Sequence, residues 1–296
     1  MPGFTIMAHN DLRVAVLSGK GGTGKTFVAV NLAAALKEAT YIDCDIEAPN
    51  GHLFFKPVVS ETIDVTLMKP YVDDKKCTGC KVCVDGCAFN ALAYVHHRVM
   101  VFEDICHSCG ACVARCPEKA LLEKAVSIGE IGIGQSLSTQ VYTGSLEIGK
   151  ASGVPIIAKL MRLTAQMTGP LIVDGPPGSA CTVMEVVKNA DFCLLVAEPT
   201  AFGLHNLKMV LELVGLFKKP FGVILNKQMA GNNLSEDYCI ANDVPIYGRI
   251  PYDAAIGSAN NEGRIYVLED DQYKTWFKAL YNTIVQEVQS EATARS

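Results

Sequence analysis

Residues 12–36, LRVAVLSGKGGTGKTFVAVNLAAAL, restrict the fold more than any other stretch of this 296-residue chain. Val14 to Leu17 form a short apolar run of the kind that parallel sheets bury on both faces. Gly19 to Thr26 then fit G-x-x-x-x-G-K-S/T without a mismatch, and a run of small apolar residues opens a helix. Strand, glycine-rich turn and helix in that order aim backbone N–H groups and a helix N-terminus at an anion. In such a loop Lys25 reaches the β- and γ-phosphates of a nucleotide and the Thr26 hydroxyl ligates Mg2+. A glycine-rich turn that matches by chance is the alternative, and the flanking strand and helix argue against it.

A second lysine, Lys20, directly follows Gly19. With it, KGGTGKT (20–26) resembles the deviant Walker A loop of the MinD/ParA/Mrp superfamily of P-loop ATPases. The resemblance runs from about Leu12 to Asp253 and implies a mostly parallel, doubly wound α/β sheet. It implies an ATP site made by Gly19, Lys20, Gly21, Gly22, Thr23, Gly24, Lys25, Thr26 and Phe27. It also implies a dimer closed by nucleotide, either of two copies or of this chain with a related ATPase. Lys20 then reaches across to the partner's nucleotide, like an arginine finger supplied in trans. A solvated loop lysine is the bland alternative.

Three further stretches match the same pattern. DCDIEAPN (43–50) resembles switch I, with Asp45 orienting the attacking water, Asn50 as a polar switch residue and Asp43 in a structural role. PLIVDGPPG (170–178) ends an apolar strand at Asp174, where the family's Walker B carboxylate holds Mg2+ with Thr26 and Asp45, and Gly175 to Gly178 form switch II. FCLLVAEPT (192–200) ends at Glu198, and FGVILNK (221–227) ends at Asn226, where the family contacts adenine; IPYD (250–253) offers Pro251 on the same side. The resemblance thus makes Lys20, Lys25, Asp45 and Asp174 the catalytic set. Ligands at the carboxyl ends of parallel strands are what an open α/β sheet predicts.

Of the twelve cysteines, eight lie between Cys77 and Cys116. Cys77, Cys80, Cys83 and Cys87 form one C-x2-C-x2-C-x3-C run, and Cys106, Cys109, Cys112 and Cys116 form another. Each cysteine of the first run recurs 29 residues later, and Ala91–Leu92 recurs as Ala120–Leu121. This spacing is similar to that of bacterial two-cluster ferredoxins. The likeness implies two 4Fe–4S clusters in a small α+β domain over residues 72–124, inserted into an ATPase domain of residues 1–71 and 125–296. In such pairs the fourth cysteine crosses over. The implied ligand sets are Cys77, Cys80, Cys83 and Cys116, and Cys106, Cys109, Cys112 and Cys87. Zinc tolerates C-x2-C pairs and remains the competing metal, although the C-x3-C-P ending is a ferredoxin feature. The first run departs from it, ending Cys87–Ala88. Disulfides are disfavoured in a reducing compartment.

The remaining features carry less. A net charge of −5 gives no basic footprint for nucleic acid. No apolar run reaches the length of a membrane span, and MPGFTIMAHNDLRV lacks the pattern of a signal peptide, so a cytoplasmic protein is expected. Cys181, seven residues after Asp174, is expected to be buried beside switch II, with a role in cluster transfer as the alternative. The apolar stripe from Tyr273 to Val288 is expected to pack on the domain rather than anchor it to a membrane surface. His96–His97 reads as a hairpin tip. The glycine-rich 127–149 reads as strands and a turn beside switch II. Function divides three ways: ATP-gated electron transfer to a redox partner protein, an iron–sulfur carrier ATPase, or a positioning ATPase whose clusters sense redox state. The lone Cys239, where Mrp-type carriers have C-x-x-C, weighs against the second.

Overall fold

The computed structural model describes residues 11–231 and 233–295, so the stretch read for a signal peptide lies largely outside the described residues. The chain opens with β1 (Arg13–Leu17), α1 (Lys25–Ala35) and β2 (Thr40–Asp43). After the single-turn α2 (Gly51–Phe55) comes a 15-residue strand, β3 (Val58–Val72). The cysteine segment holds α3 (Val82–Asp85), β4 (Leu92–Val95), β5 (Arg98–Val101) and α4 (Ala111–Arg115). Two strands return to the body, β6 (Leu121–Ser136) and β7 (Thr139–Leu146). Alternation then resumes with α5 (Val154–Leu163), β8 (Leu171–Asp174), α6 (Cys181–Asn189), β9 (Phe192–Ala197) and α7 (Ala201–Leu216). The chain closes with β10 (Phe221–Gln228), α8 (Leu234–Ala241), β11 (Ile246–Pro251), α9 (Ala254–Asn261) and α10 (Asp271–Arg295).

Nine strands form one sheet in the order β11-β10-β9-β1-β8-β2-β7-β6-β3. From β11 to β7 every neighbouring pair is parallel, and β6 and β3 extend the edge antiparallel. The central strands are apolar because helices cover both faces. Ala15 and Leu17 of β1 point to the face packed by α5, α6 and α7, whereas Val14 and Val16 point to the face packed by α1 and α10. Phe277, Leu280, Tyr281 and Ile284 of α10 are buried on that second face, with Trp276 packed beside them. The C-terminal apolar stripe is therefore occupied by the core.

The edge strands carry the insertion. β7 pairs with β6 only from Gly129 onward, while β3 pairs with β6 along its whole length. A register shift between Val65 and Thr66, opposite Ile128, marks the place where β7 stops. Beyond this bulge β3 and β6 leave the sheet as a two-stranded ribbon with the cysteine module at its tip. The boundaries expected at 71/72 and 124/125 thus fall inside two continuous strands. Pro70 is tolerated there because β3 is the outermost strand of the sheet. One expectation is corrected: β7 pairs with β2, the switch I strand, so 127–149 does not lie beside switch II.

Inside the module the duplication is visible in the backbone. Left-handed residues recur at the same offset: Gly79 (φ 72°) and Ser108 (54°), Lys81 (63°) and Gly110 (70°), Asn90 (51°) and Lys119 (48°). The hairpin of β4 and β5 pairs Leu92 with Val101 and Val95 with Arg98. Its counterpart is the ribbon tip, which pairs Leu121 with Val72 and Lys124 with Lys69. The repeat therefore begins at Lys69, inside β3. His96 and His97 form the hairpin turn, both with positive φ.

Truncating Phe277 to Ala, a side chain with 0% exposure in the α10 face of the core, is expected to lower unfolding free energy by about 3–5 kcal/mol. Urea denaturation should show this, with Lys278→Ala on the exposed side changing stability by less than about 0.5 kcal/mol.

Candidate functional site

Three adjacent parallel strands, β1, β8 and β2, deliver their carboxyl ends to one edge of the sheet. The P-loop leaves β1 there, Asp174 ends β8, and Asp43 lies directly across from Asp174 at the end of β2. Lys25, the first residue of α1, points back into this edge. Its ammonium lies 2.5 Å from Asp174 Oδ1 and 3.6 Å from Asp45 Oδ2. Burial alone would lower the Lys25 pKa, but Asp174 and then Asp45 outweigh it and hold the ammonium above its usual value. Tyr41 donates to the other Asp174 oxygen at 2.9 Å. Asp174 is thus buried and bonded on both oxygens.

A cavity of about 930 Å³ opens over this edge. Lys20, Lys25, Thr26, Asp45, Asn226 and Pro251 all contribute to its wall, with Gly21, Gly22, Gly24 and Phe27. Asp174 lies beneath the wall, behind Lys25. Gly19 and Thr23 sit behind the loop: a side chain at Gly19 would collide with the Asn206 backbone, and Thr23 O accepts from Asn226 Nδ2 at 2.7 Å. Gly24 has φ 90°, and its open Cβ position is filled by the Asn226 amide. Glycine is required there on both counts.

Lys20 is held within its own chain. Its ammonium lies 2.6 Å from Glu198 Oε2 and 5.1 Å from the Phe202 ring centroid. Lys227 holds the other Glu198 oxygen at 2.8 Å and donates to Gly22 O at 2.6 Å. Burial would raise the Glu198 carboxyl, but its bonds to Lys20 and Lys227 leave it below the ordinary carboxylate value. Tyr41 and Phe202 were not legible as site residues, because an isolated aromatic carries no spacing signal.

The two switch segments are strapped to this edge differently. Gly175 N donates to Val16 O at 3.0 Å and Gly178 N to Ser18 O at 2.9 Å, tying switch II to the start of the P-loop. In switch I, Asp43 accepts from the backbone of Asp45 and Asn50 at 3.1 Å and of Gly51 at 2.8 Å. Cys181 is exposed at the start of α6, which corrects the expectation of a buried thiol. In the first turn of α6 Cys181 and Met184 lie on the solvent side, while Val183 turns into the core.

In the module, Cys77, Cys80, Cys83 and Cys116 line a single small cavity with Val72, Lys81 and Leu121. Burial, then the Cys116 and Cys77 thiols, push Cys83 up; burial, then Cys106 and Cys109, do the same to Cys112. Cys87 and Cys116 each accept from a backbone N–H four residues on, Ala91 at 3.3 Å and Ala120 at 3.2 Å. None of the twelve cysteines is joined to another in a disulfide. Among the described residues, no group of three or more His, Cys, Asp or Glu side chains converges as ligands of a single metal ion do.

Asp43 gives the site a pH dependence. Burial and then the neighbouring Asp174 charge raise its carboxyl from 3.8 to about 7, against the opposing backbone bonds and Lys25. A raised folded pKa means that its contribution to stability is full below about pH 4 and lost as pH rises through about 7. Asp43→Asn should therefore flatten the decline in stability between pH 5 and pH 8, as read by urea unfolding at the two pH values.

Comparison with known proteins agrees with this arrangement. Residues 14–266 match the CobQ/CobB/MinD/ParA nucleotide binding domain family, CbiA. Two uncharacterized proteins of Methanocaldococcus jannaschii, MJ0578 and MJ0579, are each 28% identical; the matches cover 81% and 92% of this chain and 86% and 97% of theirs. An iron-sulfur cluster carrier protein of the same organism is 23% identical over 94% of this chain and 86% of its own. Among solved structures, the cell division ATPase MinD of Pyrococcus furiosus superposes with a TM-score of 0.58 at 20% identity, covering 93% of this chain and 99% of that one. MinD of Pyrococcus horikoshii, complexed with Mg-ADP, gives 0.57 at 18% identity, covering 96% and 98%. With the P-loop, the carboxylates and the strand order in place, the chain belongs to the CobQ/CobB/MinD/ParA family of nucleotide-binding domains and has the MinD-like P-loop fold.

Proposed function

We propose that this chain is an ATPase whose nucleotide switch governs electron delivery from a two-cluster ferredoxin module to a partner protein. The family and the cavity support the first half. Lys25 would hold the β- and γ-phosphates, Thr26 and Asp45 would supply oxygens for Mg2+, and Asp174 would hold the ion through water. Asp45 would orient a water at the γ-phosphorus; attack breaks the bond to the β–γ bridging oxygen and gives ADP and phosphate. Asn226 and Pro251 would face the base. Lys20 would leave Glu198 for the partner's nucleotide as two subunits close.

The module supports the second half. Four thiols lining one cavity, in the crossed set that includes Cys116 and not Cys87, suit a body wider than a single ion. The Cys87 and Cys116 sulfurs already accept backbone N–H bonds of the kind that stabilise thiolate ligands. When bound, two 4Fe–4S clusters supply one-electron transfer at low potential. Cys77, Cys80, Cys83 and Cys116 would hold one, and Cys106, Cys109, Cys112 and Cys87 the other.

One observation carries the link between the halves. Ile46, next to Asp45, is 2% exposed, and its side chain fills the space left where Gly144 and Gly153 lack one. Its carbonyl accepts from Leu146 N at 2.8 Å, at the end of β7. The next residue, Glu147, donates its backbone N–H to Ile128 O at 2.9 Å, at the ribbon's bulge. Ser127 Oγ there lies 2.5 Å from Glu147 Oε1 and 2.8 Å from Asp64 Oδ1. Any shift of switch I would thus reach the root of the ribbon through two residues in direct contact.

A second reading, an iron–sulfur carrier ATPase, draws on the name of the relative that is 23% identical and on the exposure of Cys181. It requires a cluster that moves to an apo-acceptor, which the gated-transfer reading does not.

The test is the ATPase rate of anaerobically reconstituted protein with clusters oxidised and then reduced, with cluster EPR recorded with and without ATP. Gated transfer predicts that ATP shifts the EPR spectrum and that reduction changes the hydrolysis rate; independence of the two overturns it. Loss of iron and sulfide to an apo-ferredoxin would favour the carrier. Lys25→Ala should cut hydrolysis by about 100-fold or more. Ile46→Ala should keep hydrolysis within a few-fold of wild type yet abolish the ATP-dependent EPR change.

A further inference from the structure

The two halves of the module are related by the 29-residue offset, so each position around one cysteine loop has a counterpart around the other. Among the pairs that differ, two place a buried polar group on one side only. Lys69 of β3 corresponds to Arg98 of β5. Arg98 is exposed, whereas Lys69 is 5% exposed and its ammonium donates to the Cys106 carbonyl. Ser108 corresponds to Gly79. The Ser108 hydroxyl is buried without a hydrogen-bond partner.

The charge on Lys69 has no visible compensation. It forms no ion pair among the described residues, and Lys124, directly across the ribbon, is itself engaged with Glu103 at 2.7 Å. A buried ammonium without a counter-charge is costly, and a buried hydroxyl without an acceptor adds to that cost. Both groups meet the second cysteine loop, Lys69 by donating from β3 to its Cys106 carbonyl and Ser108 from within it, and both would be satisfied by the same thing: an anionic, sulfur-rich body held by that loop. At the first loop the counterparts are a solvated arginine and a glycine, and the lysine that borders its cavity, Lys81, is exposed and lies over the Tyr94 ring.

We propose that Lys69, assisted by Ser108, is a positioning and tuning residue that makes the two cluster sites inequivalent. It rests on the reading of the eight cysteines as cluster ligands. A fixed positive charge favours the more negative, reduced form, as does a hydrogen bond toward sulfur. The site of Cys106, Cys109, Cys112 and Cys87 is therefore the more oxidising end of the pair. Electrons entering the module settle there, and leave from there.

The test is an EPR-monitored redox titration of the full-length, anaerobically reconstituted protein, with iron and acid-labile sulfide measured alongside. Lys69→Met, which keeps the length and removes the charge, should move one of two midpoint potentials to a more negative value and leave the other in place. Lys69→Arg should restore the wild-type pair. Arg98→Met, at the symmetry-related position, should move neither. Ser108→Ala should shift the same potential as Lys69→Met, by less, and serves if Lys69→Met fails to fold. Unmoved potentials in Lys69→Met and Ser108→Ala at full iron content, or an equal shift from Arg98→Met, overturn the proposal. Wild-type protein that takes up no iron and sulfide overturns instead the cluster reading on which it stands.

Discussion

A lysine ammonium that is almost wholly enclosed must be neutralised by carboxylates brought to it from elsewhere in the chain. Lys25 is 5% exposed, and its partners lie 20 and 149 residues away in sequence. Only a fold that sets β1, β8 and β2 side by side and parallel can bring the P-loop, Asp174 and the switch I turn to one point. The order of the sheet's central strands and the electrostatics of the site are therefore one constraint. It also explains why Asp43 and Asp174, adjacent in register, do not repel the structure apart. Asp174 is bonded by Lys25 and Tyr41, while three backbone N–H groups hold Asp43.

That edge of the sheet leaves room for an insertion with mechanical consequences. Had the cysteine module hung from flexible loops, its position would be independent of switch I. Instead it sits on two strands that run into the main sheet, β6 antiparallel to β7 and β3 antiparallel to β6. β7 is hydrogen-bonded to β2, whose end is switch I. The bulge at Ile128 of β6 frees the ribbon from the sheet's third strand just where Glu147 and Ser127 meet. A bulge bends the bulged strand and increases its twist. The ribbon's direction is set at the same place where the contact from Ile46 arrives.

The strand ends that bear the nucleotide site were legible because their signals are local. A short apolar strand, a glycine-rich turn and a helix are contiguous in sequence, and Asp174 before Gly175–Pro176–Pro177 punctuates a strand unmistakably. β3 was not legible. Most of its residues from Val58 to Val72 are exposed, so burial imposes no alternation, and Pro70 argues against a strand unless the edge position is known. The domain boundary expected at residue 72 therefore falls after Lys69, where the repeat begins. Cys181 differs from expectation for a related reason: a thiol near an apolar strand suggests burial, and only the helical phase of α6, which buries Val183, turns Cys181 to solvent.

Lys69 illustrates the remaining gap between pattern and structure. Lysine is almost never fully buried without a partner, so sequence alone assigns it to solvent. Its burial follows from tertiary placement, on the ribbon tip that doubles as one hairpin of the module. The same strand thus does two things at once. It fixes the module to the ATPase sheet, and it places a charge against one cysteine loop and not the other. Duplication alone would give two equivalent cysteine loops. Rooting the duplicated unit in the sheet through one of its two hairpins removes that equality, because that hairpin continues into β3 and β6 while its twin turns back at His96 and His97. The attachment through which, in the proposed function, nucleotide would act is also what distinguishes the two ends of the module.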